Sequence, residues 1–223
     1  IIIPVILIPQ MILSGLLFSF DKLNNTISTE GEAPRIGDSI TSRWALEALA
    51  VDLYKNNRYE YPIFAIEAEK RNANYKSSYW TKELKNKVNY VAKNFLNTDE
   101  EVIAAVGDAL LTLRKEINAE PFKGNYADKN LDSIFTAKNV KPRTLLQMHN
   151  YVRDVENHYA QLGLEAQNKL DRVVMLLENS DKYEYDATLY RKLYYNENLA
   201  KLVRNSNTEK RIIEVDNQFI RRI

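Results

Sequence analysis

The first twenty residues, IIIPVILIPQMILSGLLFSF, carry no charged side chain, and every Asp, Glu, Lys and Arg lies from Asp21 onward. As a helix this stretch would extend roughly 30 Å, about the thickness of a bilayer's hydrocarbon core. It is not built as a plain span. Pro4 and Pro9 each remove a backbone donor and crowd the turn before them. Ser14-Gly15 is a further weak point. A broken apolar segment survives at membrane depth only where neighbouring helices or a cavity satisfy the freed backbone groups. The stretch therefore reads as an intramembrane element of a larger membrane protein. A buried core helix of a soluble domain is the competing reading. Two prolines and the lack of a polar face stand against it. A signal peptide fits poorly, because no small-x-small cleavage site precedes Asp21.

The sequence opens on Ile rather than Met and is read as a piece of a longer protein. Lys+Arg number 31 and Asp+Glu 30, so the net charge of +1 leaves no nucleic-acid footprint. The chain has no cysteine, which removes disulfides and thiolate metal sites. Six glycines and six prolines in 223 residues argue for long regular elements.

Residues 21–38, DKLNNTISTEGEAPRIGD, form a loop by composition. Residues 39–57 then read as a helix capped by Thr41 or Ser42 and apolar on most of its surface. Arg43 and Glu47 are four apart and share a face. Such a helix belongs in a core or at a membrane interface, and Trp44 suits the interface, with its apolar ring and polar N–H. Residues 61–95 carry one apolar stripe: Ile66, Ala73, Trp80, Leu84, Val88, Val91 and Phe95. Thr98 and Glu101 predict a capping box for the next helix, with Val102, Val106, Ala109, Leu110, Leu113 and Ile117 on its inner face. Residues 119–141 are mostly loop, with Phe122, Tyr126, Leu131, Ile134 and Phe135 as anchors to a helical core.

Pro142 suits the first turn of a long helix running to Asn179. Its stripe runs Leu145, Met148, Val152, Val155, Tyr159, Leu162, Ala166, Leu170, Val173 and Leu177. That is a coiled-coil-like seam with one phase slip around Ala166. A stripe this long needs a partner, and residues 61–95 and 186–205 are the candidates within the chain. Residues 186–205 are expected to form a further helix, and residues 208–223 a last helix or an extended exit. The fold class is all-α: a broken membrane-embedded N-terminal helix, then long antiparallel helices.

The order PQMILSGLLFSFDKLN, a polar loop, then TSRWALEALAVDLYKNNRYE resembles a region of type-2 ABC exporters of the ABCG-like half-transporter group. In that group a proline-containing apolar segment ends in Ser-Gly and Phe-Asp, and a helix near "(S/P)xRWxxEAL" follows at the outer membrane face. Ser42, Arg43, Trp44, Glu47, Ala48 and Leu49 fit that pattern. In particular the chain is similar to bacterial proteins that fuse an ATP-binding cassette to such a permease and carry a large insert before the last membrane helix. The match covers residues 4–60.

The resemblance implies three parts. Residues 1–20 would be the end of a transmembrane or re-entrant helix. Residues 21–60 would be an extracytoplasmic loop and interfacial helix, with Arg43, Trp44 and Glu47 at the interface. Residues 61–223 would be a helical extracytoplasmic insert. Gln10, Ser14, Gly15 and Phe18 would contribute to an outer gate on the translocation path. The parent would be an inner-membrane exporter that uses ATP and Mg, with its nucleotide-binding domain outside this segment. Its partners would be the lipid bilayer, a second copy of the half-transporter and an extracytoplasmic protein, with no nucleic acid. The alternative is a membrane-anchored helical protein-interaction module with no transport role.

No motif for chemistry stands out within the chain itself, and no catalytic, cofactor or metal residue is assigned. His149 and His158, nine apart, fall on opposite sides of a helix and cannot pair on one metal. Asp154 and His158, four apart, suit a surface pair. Asp99, Glu100 and Glu101 complement a helix N-terminus. No phosphate-binding or nucleophile-elbow motif occurs. Tyr183, Tyr185, Tyr190, Tyr194 and Tyr195 could stack on a ring, but helix packing explains them first.

Overall fold

A computed structural model describes residues 41–126, 134–135, 140–178, 187–204 and 212–221. These residues are mostly helical, with one small two-stranded sheet. The apolar run 1–20, with Gln10, Ser14, Gly15 and Phe18, lies outside the described residues. Among the described residues, no helix is long and apolar enough to cross a membrane. They divide into two compact units, one holding 41–64 and 187–204, the other 65–178 and 212–221.

The first unit begins with α1, Thr41–Lys55. Asn57 stops it. Its side-chain amide donates to the Tyr54 carbonyl at 2.6 Å, and its Oδ1 accepts the N–H groups of Tyr59 and Glu60 at 2.9 and 2.8 Å. One Asn side chain thus satisfies a carbonyl at the helix end and two amides of the following turn. Ala50, Tyr54, Glu60 and Ile63 are buried. Tyr54 meets Phe64 edge-on at 6.1 Å.

The single helix expected over 186–205 is two short helices among the described residues. They are Ala187–Tyr194 and Glu197–Arg204, whose labels α6 and α7 follow their place in the chain. The break falls at Tyr195-Asn196, where Asn196 Oδ1 accepts the Leu199 N–H at 3.0 Å. Asn competes for backbone groups and favours a fresh N-cap over a continuous helix. Helix α7 packs on α1.

The second unit is a helical bundle. Its first strut runs through α2, Phe64–Tyr75, then a π-turn at Lys76–Trp80, then α3, Thr81–Asn94. Helix α4, Glu100–Ala119, follows after a short loop. Asp99 is its N-cap and accepts the Glu101 N–H at 3.0 Å. The expected capping box at Thr98 and Glu101 does not form: the cap falls one residue later, on the charged Asp99, whose own N–H bonds to Asn97 Oδ1 at 3.0 Å. Helix α5, Pro142–Glu178, is the longest at 37 residues.

The direction of each helix follows from its contacts. Lys85 meets Glu156, Lys76 meets Tyr159 and Glu69 meets Lys169, so α5 runs antiparallel to the α2–α3 strut. Trp80 meets Glu116 and Lys76 meets Glu120, so α4 is antiparallel too. The core between them holds Ala73, Trp80, Leu84, Val88 and Val91 from the strut. Helix α4 adds Val106, Ala109, Leu110, Leu113 and Ile117, and α5 adds Leu145, Met148, Val152, Val155 and Tyr159. Of the expected loop anchors, Tyr126, Ile134 and Phe135 are buried in this core and Phe122 packs against it in part, while Leu131 lies outside the described residues. The outer half of the α5 stripe is less covered: Leu162 is exposed while its neighbour Gly163 is buried. A Cβ at Gly163 would sit 2.8 Å from Asn74 Oδ1, so glycine is what lets α5 approach α2 there.

Of the two alternatives, helix or extended exit, residues 212–221 take the extended one, but folded back as a hairpin. Strands β1, Ile212–Val215, and β2, Gln218–Arg221, pair antiparallel. Asp216 and Asn217 turn between them with φ of 50° and 59°. This is the type I′ hairpin turn, which needs positive φ at both central positions, and Asp and Asn tolerate it best after Gly. Strand β2 lies on α4.

Candidate functional site

A buried polar constellation sits at the π-turn. Within an α-helix the Thr81 N–H would bond to the Ser77 carbonyl. Here it bonds to the Lys76 carbonyl. The skipped Ser77 carbonyl is taken by the Thr81 hydroxyl at 2.7 Å. One fully buried threonine therefore serves two carbonyls and holds the widened turn. Thr81→Val is expected to cost about 1–3 kcal/mol in urea unfolding, because it keeps the shape and strands that carbonyl. Thr81→Ser keeps the hydroxyl and should lose only about 0.8 kcal/mol for the missing methyl.

The wide turn places Lys76 on the inner side of the strut. Its ammonium forms an ion pair with Glu120, whose side chain is fully buried. It also donates to the Tyr159 hydroxyl at 3.1 Å. The ammonium lies 4.9 Å from the Trp80 ring centre and 4.7 Å from that of Tyr159. Both distances fall within cation–π range. Glu120 is the C-cap residue of α4. Its Oε1 accepts the Tyr159 O–H at 2.6 Å and the Phe122 N–H at 3.0 Å.

Burial alone would raise the pKa of Glu120. Hydrogen bonds from Lys76, Tyr159 and the Phe122 N–H, with the Lys76 charge, outweigh it and hold the carboxyl below its ordinary value. Burial pushes the Tyr159 phenol up, and its bond to the Glu120 carboxylate pushes it further the same way. Three donors converge on one carboxylate, an arrangement suited to fixing geometry.

Three further contacts tie the site down. The Trp80 indole N–H donates to Glu116 Oε2 at 2.7 Å. His158 stacks flat on Phe122, ring centres 3.8 Å apart, while Tyr151 donates to the Phe122 carbonyl at 2.9 Å. Among the described residues no cluster of three or more His, Asp or Glu side chains is placed to hold a metal ion.

The site residues expected from sequence lie elsewhere. Arg43 belongs to α1, but its side chain is outside the description, so the Arg43–Glu47 pair is too. Trp44 and Glu47 line one shallow concavity of about 490 Å³ on α1, with Ala48, Val51 and Lys55. Trp44 is 52 % exposed. Of the tyrosine cluster, Tyr183, Tyr185 and the Tyr190 side chain fall outside the description. Tyr194 accepts from Arg58 at 3.2 Å, and Tyr195 meets Tyr59 edge-on at 5.5 Å. Arg191 lies over both Tyr59 and Tyr195, so this is packing within the first unit.

Sequence reasoning missed Lys76, Glu120 and Thr81. The seven-residue step from Ala73 to Trp80, with Lys76 between, is ordinary helix spacing and does not mark them out. Comparison with known proteins returns no matching family model, curated protein or solved structure.

Proposed function

We propose that this chain is the outer part of an ABC exporter permease of the ABCG-like kind. In this reading residues 1–20 form a broken intramembrane element and α1 lies at the membrane interface. The bundle is then an extracytoplasmic domain, and ATP and Mg act on a cassette outside this segment. A second copy completes the transporter. The observation that carries the reading is the pairing of a charge-free, proline-broken run with a helix whose apolar side chains face outward. On α1, Trp44, Leu49, Val51 and Leu53 are all exposed, flanking the buried Ala50 and Tyr54. Leaving such side chains in water is unfavourable, and a bilayer interface accepts both the aliphatic groups and the indole.

The test uses the full chain in liposomes containing brominated lipid. Tryptophan emission should be quenched, and Trp44→Phe should remove most of that quenching. Equal quenching in both proteins would sink the interfacial placement. Sidedness is read separately with Asn74→Cys, since the chain has no cysteine of its own. An impermeant maleimide should label it from the extracytoplasmic side, and labelling from the cytoplasmic side alone reverses the topology.

The second reading, an anchored interaction module, draws on the outer half of α5. There Leu164, Met175 and Leu176 are 61 %, 62 % and 71 % exposed. It predicts the same quenching but no dependence of export on this chain.

A further inference from the structure

The hairpin β1–β2 meets the bundle through a different chemistry from the one that holds the bundle together. Its described polar tethers run mainly through charged side chains. Glu214 accepts from Lys87 at 2.7 Å and from the Thr112 hydroxyl at 2.9 Å. Lys115 donates to the Asp216 carbonyl at 2.8 Å. Glu116 Oε1 accepts the Phe219 N–H at 2.7 Å, and Arg221 lies 4.3 Å from the Tyr75 ring centre. Asn217 Oδ1 also faces Thr112, at 3.3 Å. On the apolar side, Ile212 and Phe219 pack against the core only in part. A two-stranded hairpin is marginal by itself, so these tethers decide whether it stays docked. The bundle core, with Leu84, Val88 and Leu113 fully buried, does not depend on them.

One tether reaches further. Glu116 holds the hairpin backbone with Oε1 and the Trp80 indole with Oε2. Trp80 closes the π-turn, and its ring lies beside the Lys76 ammonium. A second link, Arg221 on Tyr75, ends at the residue just before that turn.

We propose that the C-terminal hairpin is a releasable strap whose docking is sensed at the π-turn through Glu116. Release frees one oxygen of Glu116 and lets its carboxylate reorient, which changes the hydrogen bond to Trp80. The hairpin and the Lys76–Glu120 node then form two ends of one coupled element.

Hydrogen exchange on the full 223-residue chain in detergent micelles tests the release. Glu214→Ala removes two tethers without touching Trp80. The peptide spanning 212–221 should exchange at least about tenfold faster than in the parent, while the peptide spanning 100–119 keeps its rate. Lys87→Ala removes one of the same tethers from the bundle side and should act in the same direction, more weakly. Coupling is read in a Trp44→Phe background, where Trp80 is the sole tryptophan. Its emission should shift when either variant frees the hairpin. Hairpin and α4 peptides exchanging in step would overturn the strap. A freed hairpin with unchanged Trp80 emission would overturn the coupling.

Discussion

Glu120→Ala is expected to destabilise the second unit by about 3–5 kcal/mol, the cost of leaving a charge without its buried partner. The substitution strands three donors at once: the Lys76 ammonium, the Tyr159 hydroxyl and the Phe122 N–H. It also leaves a void where the carboxyl was. Chemical denaturation of the full chain, followed by circular dichroism, measures the loss. Tyr159→Phe removes one of those bonds while the ion pair stays, and should cost clearly less. A Glu120→Ala loss under about 1 kcal/mol would mean that water replaces the carboxylate and that the node is dispensable.

The sign of the pH dependence follows from the same contacts. Glu120 titrates lower in the folded chain than in the unfolded one. Its contribution is therefore present above the unfolded carboxyl value and is lost as pH falls through the folded one. Tyr159 moves the other way. Its neutral form is favoured by folding, so that contribution is present below the ordinary phenol value and is lost as pH rises beyond it.

Leu113→Ala is expected to cost about 2.7–5 kcal/mol, by lost transfer energy plus an unfilled cavity. Leu113 is fully buried on the inner face of α4, within the cluster that includes Leu84, Val88 and Leu110. That is a large share of the roughly 5–15 kcal/mol that holds a typical domain. Leu146, on the opposite face of its own helix, is 61 % exposed. Leu146→Ala should stay within about 0.5 kcal/mol. Similar losses at both positions would contradict the packing described for the bundle.

Legibility in the sequence followed the physics of each element. The faces of α3 and α4 were plain, because Leu84, Val88, Leu110, Leu113 and Ile117 recur at helical spacing and all are buried. Pro142 marked the start of α5 for the same elementary reason that proline suits a first turn. The π-turn was hidden because a seven-residue step from Ala73 to Trp80 satisfies ordinary helix periodicity as well. The hairpin was left open between helix and extended chain because Ile212, Val215 and Phe219 step by three and four, which a helix also allows. Its true signal was the Asp216-Asn217 pair between two short apolar-polar runs. The partner of α5 was half right: the strut from 64 to 94 packs on it, whereas α7 packs on α1. The buried node was invisible for a different reason. Lys76, Glu120 and Tyr159 lie far apart in sequence, and only the bundle brings them together.

The division of the chain has a consequence for biosynthesis. Helix α1 finds its described partner in α7, whose first residue, Glu197, comes 142 positions after Lys55. At about 5–20 residues per second of synthesis, that interval lasts roughly 7–30 s. Through it the exposed and buried faces of α1 alike are without α7, while helices α2 to α5 of the bundle are all made before it ends. Nascent α1 therefore has an apolar surface in need of cover until α7 emerges.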